Sequence, residues 1–183
     1  MTTDHHTLRV AVEEELDRID RMAALLWEGD CDFTADSGHP GWSYGHLATH
    51  IARGSDILAG TVLTASGVAD ELLQNALERS KEIDREATRP GAVIITDLEQ
   101  AAHRFANIIE ALPEEKWAST AEATGGRSVS VADIVGMWLH EMRSHMPALT
   151  LDHERDSNPP WKQCMIVDLL PGAAHPPGLT IAP

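Results

Sequence analysis

Positive charge is the scarcest commodity in this sequence: 14 Lys and Arg stand against 29 Asp and Glu, for a net charge of −15. A chain so acidic repels phosphate backbones and anionic lipid surfaces, which excludes nucleic acid and membranes as partners. Cysteine is nearly absent too. Cys31 and Cys164 are far apart and belong to no paired motif, so no disulfide framework is expected and a reducing, cytoplasmic setting fits. No uncharged apolar run approaches the roughly 20 residues that span a bilayer, and the start lacks the basic-then-apolar pattern of a leader. Strand signals are sparse. With 183 residues, of which 43% are hydrophobic, the chain can bury one sizeable core.

What is present is helical periodicity. Leu8, Val12, Leu16, Ile19, Ala23 and Leu26 recur at three- and four-residue steps and predict a helix over about residues 6–28. After a run of turn formers, Ser43 is a good N-cap for a second helix reaching to about Thr64, with Trp42 placed to staple onto Leu47. Residues 69–89 suit a shorter, more exposed helix, with Leu72, Ala76 and Ile83 on one side. Pro90-Gly91 breaks it, and Leu98, Ala102, Phe105, Ile109 and Leu112 then mark another strong helix that Pro113 closes. Residues 114–129 read as a loop. Ser130 and Asp133 form a capping-box-like start, with Val129 and Ile134 as staple, for a last helix carrying Trp138, Met142 and Leu149.

The expected architecture is all-α: a four-helix bundle over residues 1–151 with an extra short helix, followed by a Pro-rich C-terminal arm over 152–183. Six of the ten prolines fall in that arm, where Trp161 is its expected anchor.

Chemistry emerges when polar residues are placed on these helices. At about 100° per residue, Glu141 and His145 fall within about 60° of Trp138, on the apolar face of the last helix. A carboxylate buried there must be paired, neutralised or bound to a metal. On the second helix His50 borders the core-facing stripe in the same way. Two imidazoles and one carboxylate with an open fourth position are the set that catalytic zinc sites use, and bundle cores host such sites on facing helices. The plainer alternatives are a core histidine at 50 and an i,i+4 pair between 141 and 145. His46 lies at the boundary of the same face, His5 and His6 in a start expected to be solvated, and Arg143 off the ligand face. Cys31 lacks thiolate-stabilising neighbours and reads as a bystander.

The run Gly41-Trp42-Ser43 through Leu47-Ala48-Thr49-His50-Ile51-Ala52-Arg53-Gly54, then Leu112-Pro113 and Trp117, then Glu141 with His145, resembles the mycothiol-dependent maleylpyruvate isomerase family, part of the wider DinB-like metal-binding bundles. The resemblance covers roughly residues 8–152. It implies that His50, Glu141 and His145 hold a divalent metal, zinc by preference, and that the metal binds the thiolate of mycothiol as cosubstrate. An S-transferase or an isomerase acting on a small electrophile would follow. Isomerases of the family carry a second domain that supplies an arginine, and none occurs here after Arg155, which disfavours maleylpyruvate as substrate. Arg53, one turn from His50, is the candidate to hold a substrate carboxylate; an exposed arginine paired with Asp56 or with Glu residues is the alternative. No catalytic residue beyond the ligands is assigned. A different class of function also fits the residues: a non-catalytic metal-binding bundle with a structural or stress-associated role, which leaves room for a homodimer.

Overall fold

The computed structural model describes residues 4–28, 31–68, 75, 78–122 and 127–149. Four long helices dominate: α1 (His5–Glu28), α2 (Tyr44–Ala65), α4 (Gly91–Ala111) and α5 (Val131–Leu149), with a single helical turn, α3 (Ile83–Glu86), between α2 and α4. The principal packing runs in a ring, α2 against α4 and α5, and α1 against the same two helices. This is the mostly helical fold that the apolar stripes predict, and it is consistent with the DinB-like fold that the resemblance implies. Of the expected helix over 69–89, residues 75, 78–80 and 83–86 are helical while 81–82 and 87–89 turn, so it is interrupted, with Ile83 buried in α3; its other residues, Leu72 and Ala76 among them, and the arm over 152–183, with Trp161 and Cys164, lie outside the described residues. None of the described helices is long and apolar enough to cross a membrane.

Local signals account for the helix boundaries. At α2 the Ser43 hydroxyl accepts from the His46 backbone N–H, while the His46 ring Nδ1 accepts from the Ser43 backbone N–H at 3.2 Å, so histidine fills the role usually taken by Glu or Gln. At α5 the predicted box is present: the Asp133 backbone donates to Ser130 Oγ at 3.1 Å and Asp133 Oδ2 accepts from the Ser130 backbone at 3.0 Å. Pro147 stands inside α5, which continues through it for two residues to Leu149. It removes one backbone donor from the last turn.

Two expectations from sequence are corrected. The stretch 114–129 is not purely loop: a 3-10 turn (Glu114–Lys116) leads to β1 (Thr120–Glu122), which pairs antiparallel with β2 (Ser128–Ser130), Ala121 opposite Val129. Strands of three residues are too short to show an alternating pattern. His5 is not a solvated residue in a frayed start. It opens α1, stacks on the buried Trp117 at 4.8 Å and lies 3.2 Å from Glu114.

At the centre of the core Phe105 of α4 stacks on Trp138 of α5 at 4.6 Å, and the Trp138 indole N–H donates to Ser55 Oγ of α2 at 3.0 Å. That contact ties three helices together and gives the buried indole N–H its partner. Gly45 marks a close approach at the start of α2, where a β-carbon would stand 2.4 Å from the Ala87 carbonyl oxygen.

Candidate metal centre

Helices α2 and α5 lie side by side, and their packing brings His50 to Glu141 and His145. One ligand-capable atom from each of the three lies within 4.8 Å of the others. All three are buried: His50 is 5% exposed, Glu141 0% and His145 1%. The i,i+4 spacing on α5 sets His145 Nε2 3.1 Å from Glu141 Oε2, and the His50 ring meets the His145 ring edge-on at 5.7 Å. Burial pushes the His50 imidazole down to about 4, with His145 adding to the fall and Glu141 opposing it. A neutral imidazole is the form that binds metal.

The residues fit a divalent cation. Neither ring nitrogen of His145 has a hydrogen-bond partner among the described residues, although both are buried. An imidazole without such a bond, beside a carboxylate at zero exposure, loses polar solvation that one ion coordinated by all three side chains would restore.

A third histidine reaches the same place. His39, from the turn before α2, is 3% exposed; its ring lies 5.6 Å from that of His145 and stacks on Trp42 at 5.4 Å. Trp42 in turn lies 5.0 Å from the His50 ring, so this residue is both helix staple and wall of the site. Burial, reinforced by the neighbouring His145 and His50, pushes the His39 imidazole down to about 3. Helical periodicity could not reveal His39 because it sits in a turn. The available signal was its position in the run Ser37-Gly38-His39-Pro40-Gly41-Trp42, directly ahead of the helix that carries His50.

The other candidates are placed elsewhere. Arg53 is 1% exposed, not a surface arginine, and its guanidinium is committed to three carboxylates: Asp97, Asp56 at 3.3 Å and Glu86 at 3.5 Å. A substrate carboxylate could reach it only by displacing one of these. His46 serves the α2 cap and lies 3.8 Å from Asp84. Arg143 points away from the triad toward Glu15 of α1, at 3.2 Å. The Cys31 thiol is raised by burial and by Asp32, the opposite of an activated nucleophile. A cavity of about 450 Å³ between α2 and α4, lined by Asp56, Leu63, Arg79 and Arg104 among others, shares no residue with the triad.

A helical fold in which two imidazoles and a carboxylate converge between two helices offers a donor set that could hold a metal ion. The family can be stated: residues 12–147 match the family described as "Mycothiol maleylpyruvate isomerase N-terminal domain", and the chain belongs to that family. Among solved structures the chain is similar to that of the mycothiol-dependent maleylpyruvate isomerase, with a TM-score of 0.66 at 18% identity, covering 88% of this chain and 68% of that one. A histidine-to-alanine mutant of the same enzyme matches with a TM-score of 0.68 at 17% identity over the same shares. At such identity the likeness establishes the fold. A search of curated proteins finds no match.

Proposed function

We propose that His50, Glu141 and His145 hold one divalent metal, preferentially zinc, and that the centre activates a low-molecular-weight thiol, mycothiol, for S-transfer to or isomerisation of a small electrophile. The observation that carries this is the convergence of the three buried donors within 4.8 Å of one another. Membership of the mycothiol maleylpyruvate isomerase family supports the thiol.

When bound, the metal would stabilise the thiolate of a thiol whose ordinary pKa is near 8.5, making it nucleophilic at neutral pH. The chain's own residues do the rest. His50 and His145 would each present a ring nitrogen to the ion and Glu141 a carboxylate oxygen, so the three side chains would carry a single formal negative charge between them and leave the ion able to accept an anionic sulfur. Trp42 packs against His50 and His39 and keeps water from that side of the site. The burial of all three donors holds them in one geometry before substrate arrives, so little reorganisation accompanies binding.

Reaction class follows from which cations are free to act. Arg53 is engaged by Asp56, Glu86 and Asp97, and Arg143 by Glu15. Neither is positioned to clamp a dicarboxylate, whereas a thiolate attacking a neutral electrophile needs no clamp. Conjugation is therefore expected to exceed maleylpyruvate isomerisation. The test has two stages: elemental analysis of the purified protein with calorimetry against mycothiol, then metal-loaded protein offered mycothiol with a haloarene in one vessel and maleylpyruvate in another. One metal per chain and faster conjugation are expected. Efficient isomerisation would reverse the ordering. Metal content with neither thiol binding nor turnover would return the protein to the non-catalytic, structural class.

A further inference from the structure

His39 is the buried imidazole to which the reading above gives no task. Its backbone is fixed by the turn that holds it: the Trp42 N–H donates to the His39 carbonyl at 3.0 Å, and the Ser37 N–H donates to the Trp42 carbonyl at 3.1 Å. Gly38 and Gly41, with φ of +82° and +80°, supply the left-handed conformations that so tight a turn requires. Only the side-chain torsions of His39 remain to be set.

Distances place this ring among ligands. The centroids of His39 and His145 are 5.6 Å apart, and those of His50 and His145 are 5.7 Å apart. Two imidazoles bound to one tetrahedral zinc through nitrogens about 2.0–2.1 Å from the ion have centroids about 5 Å apart. His39 therefore stands as near to His145 as His50 does, and both separations lie close to those of co-ligands. The Trp42 indole, in contact with both rings, spaces His39 from His50. The atoms already within 4.8 Å of one another belong to His50, Glu141 and His145, so His39 would have to turn about its side-chain bonds to join them.

We propose that His39 is a fourth protein ligand of the centre, which then comprises three imidazoles and one carboxylate when no substrate is present; this rests on the metal reading of His50, Glu141 and His145. The resting site is closed by protein, and an incoming thiol competes with an imidazole instead of a water molecule.

The experiment uses the full chain loaded with zinc and labelled with nitrogen-15 in its histidines. Long-range proton–nitrogen spectra are expected to show three metal-bound imidazoles, one of which disappears in His39→Leu. In cobalt-loaded protein the same substitution should alter the visible absorption of the four-coordinate ion and lower metal affinity about tenfold or more. Two metal-bound imidazoles in the unmodified chain overturn the proposal and leave the triad standing, as does a His39→Leu variant with unchanged cobalt spectrum and affinity. A chain with no metal-bound imidazole overturns both. The spectrum of the unmodified protein decides the matter even if His39→Leu fails to fold.

Discussion

His50 and Arg53 stand nearly one turn apart on α2, both buried, and they organise opposite kinds of polar cluster. Around Arg53 the chain supplies its own counter-charges. Arg53, Arg79, Arg89 and Arg104 face Asp56, Glu86 and Asp97, with Arg104 held on Asp56 at 2.6 Å and Arg89 on Asp97 at 2.8 Å. Burial alone would raise the Asp97 carboxyl, but hydrogen bonds from Arg89 and Arg53 hold it below its ordinary value. Around His50 the His145 imidazole and the Glu141 carboxylate converge, with one ligand-capable atom of each within 4.8 Å of the others, and His39 stands nearby. A buried polar cluster whose opposite charges are paired across helices is structural, whereas one whose donor atoms converge on a point is arranged to take a ligand.

The largest expected effect tests the self-balanced side. Arg53→Leu removes the central cation and leaves carboxylates buried against α2, so it should cost about 3–5 kcal/mol of folding stability, read by urea unfolding. A loss under 1 kcal/mol, with thiol or substrate binding abolished, would move Arg53 back to the substrate and dissolve the contrast.

Acid should act next, and on the other cluster. In the metal-free protein the folded-state values of His50 and His39, about 4 and about 3, lie below the ordinary 6.5. The unfolded chain therefore binds protons in a window where the folded chain does not, so stability is fully present above about pH 6.5 and is lost as pH falls toward 4. Between pH 7 and pH 5 the unfolding free energy should drop by about 2–4 kcal/mol. A flat profile would mean that these imidazoles are far better solvated than their burial indicates.

The smallest expected effect on the fold is also the sharpest on chemistry. His145→Ala should strip the metal yet keep the helical circular dichroism, because packing of the apolar faces supplies most of the helix stability. Undiminished metal content in this variant would remove His145 from the centre.

Much of this was legible in the sequence, and the parts that were not share a physical reason. The stripes of α1, α2, α4 and α5 repeat every three to four residues, and the wheels turn His50, Glu141 and His145 inward, but that α2 and α5 face each other is shown only by their packing. Burial of Arg53 was hidden because Glu86 and Asp97 come from α3 and α4, and no local pattern reports a partner so distant in sequence. His39 was hidden because a turn has no face. The structure also buries Glu15 on the inner side of α1, opposite Arg143, while Leu16 of the predicted stripe is only partly buried.

The bare α-carbon of Gly45 has a mechanical consequence. Its N–H donates to the Phe33 carbonyl at 2.8 Å, and the Ala87 carbonyl closes over it from the far side. Three stretches of chain are thus clamped at one point, six residues beyond His39 and five ahead of His50. A methyl group there meets a backbone oxygen that cannot rotate aside, so the strain must be released by sliding α2 against its neighbours. Gly45 works as a fulcrum, and a substitution at this position, though it adds no polar atom, should be felt as a change in the spacing between the two histidines on either side of it.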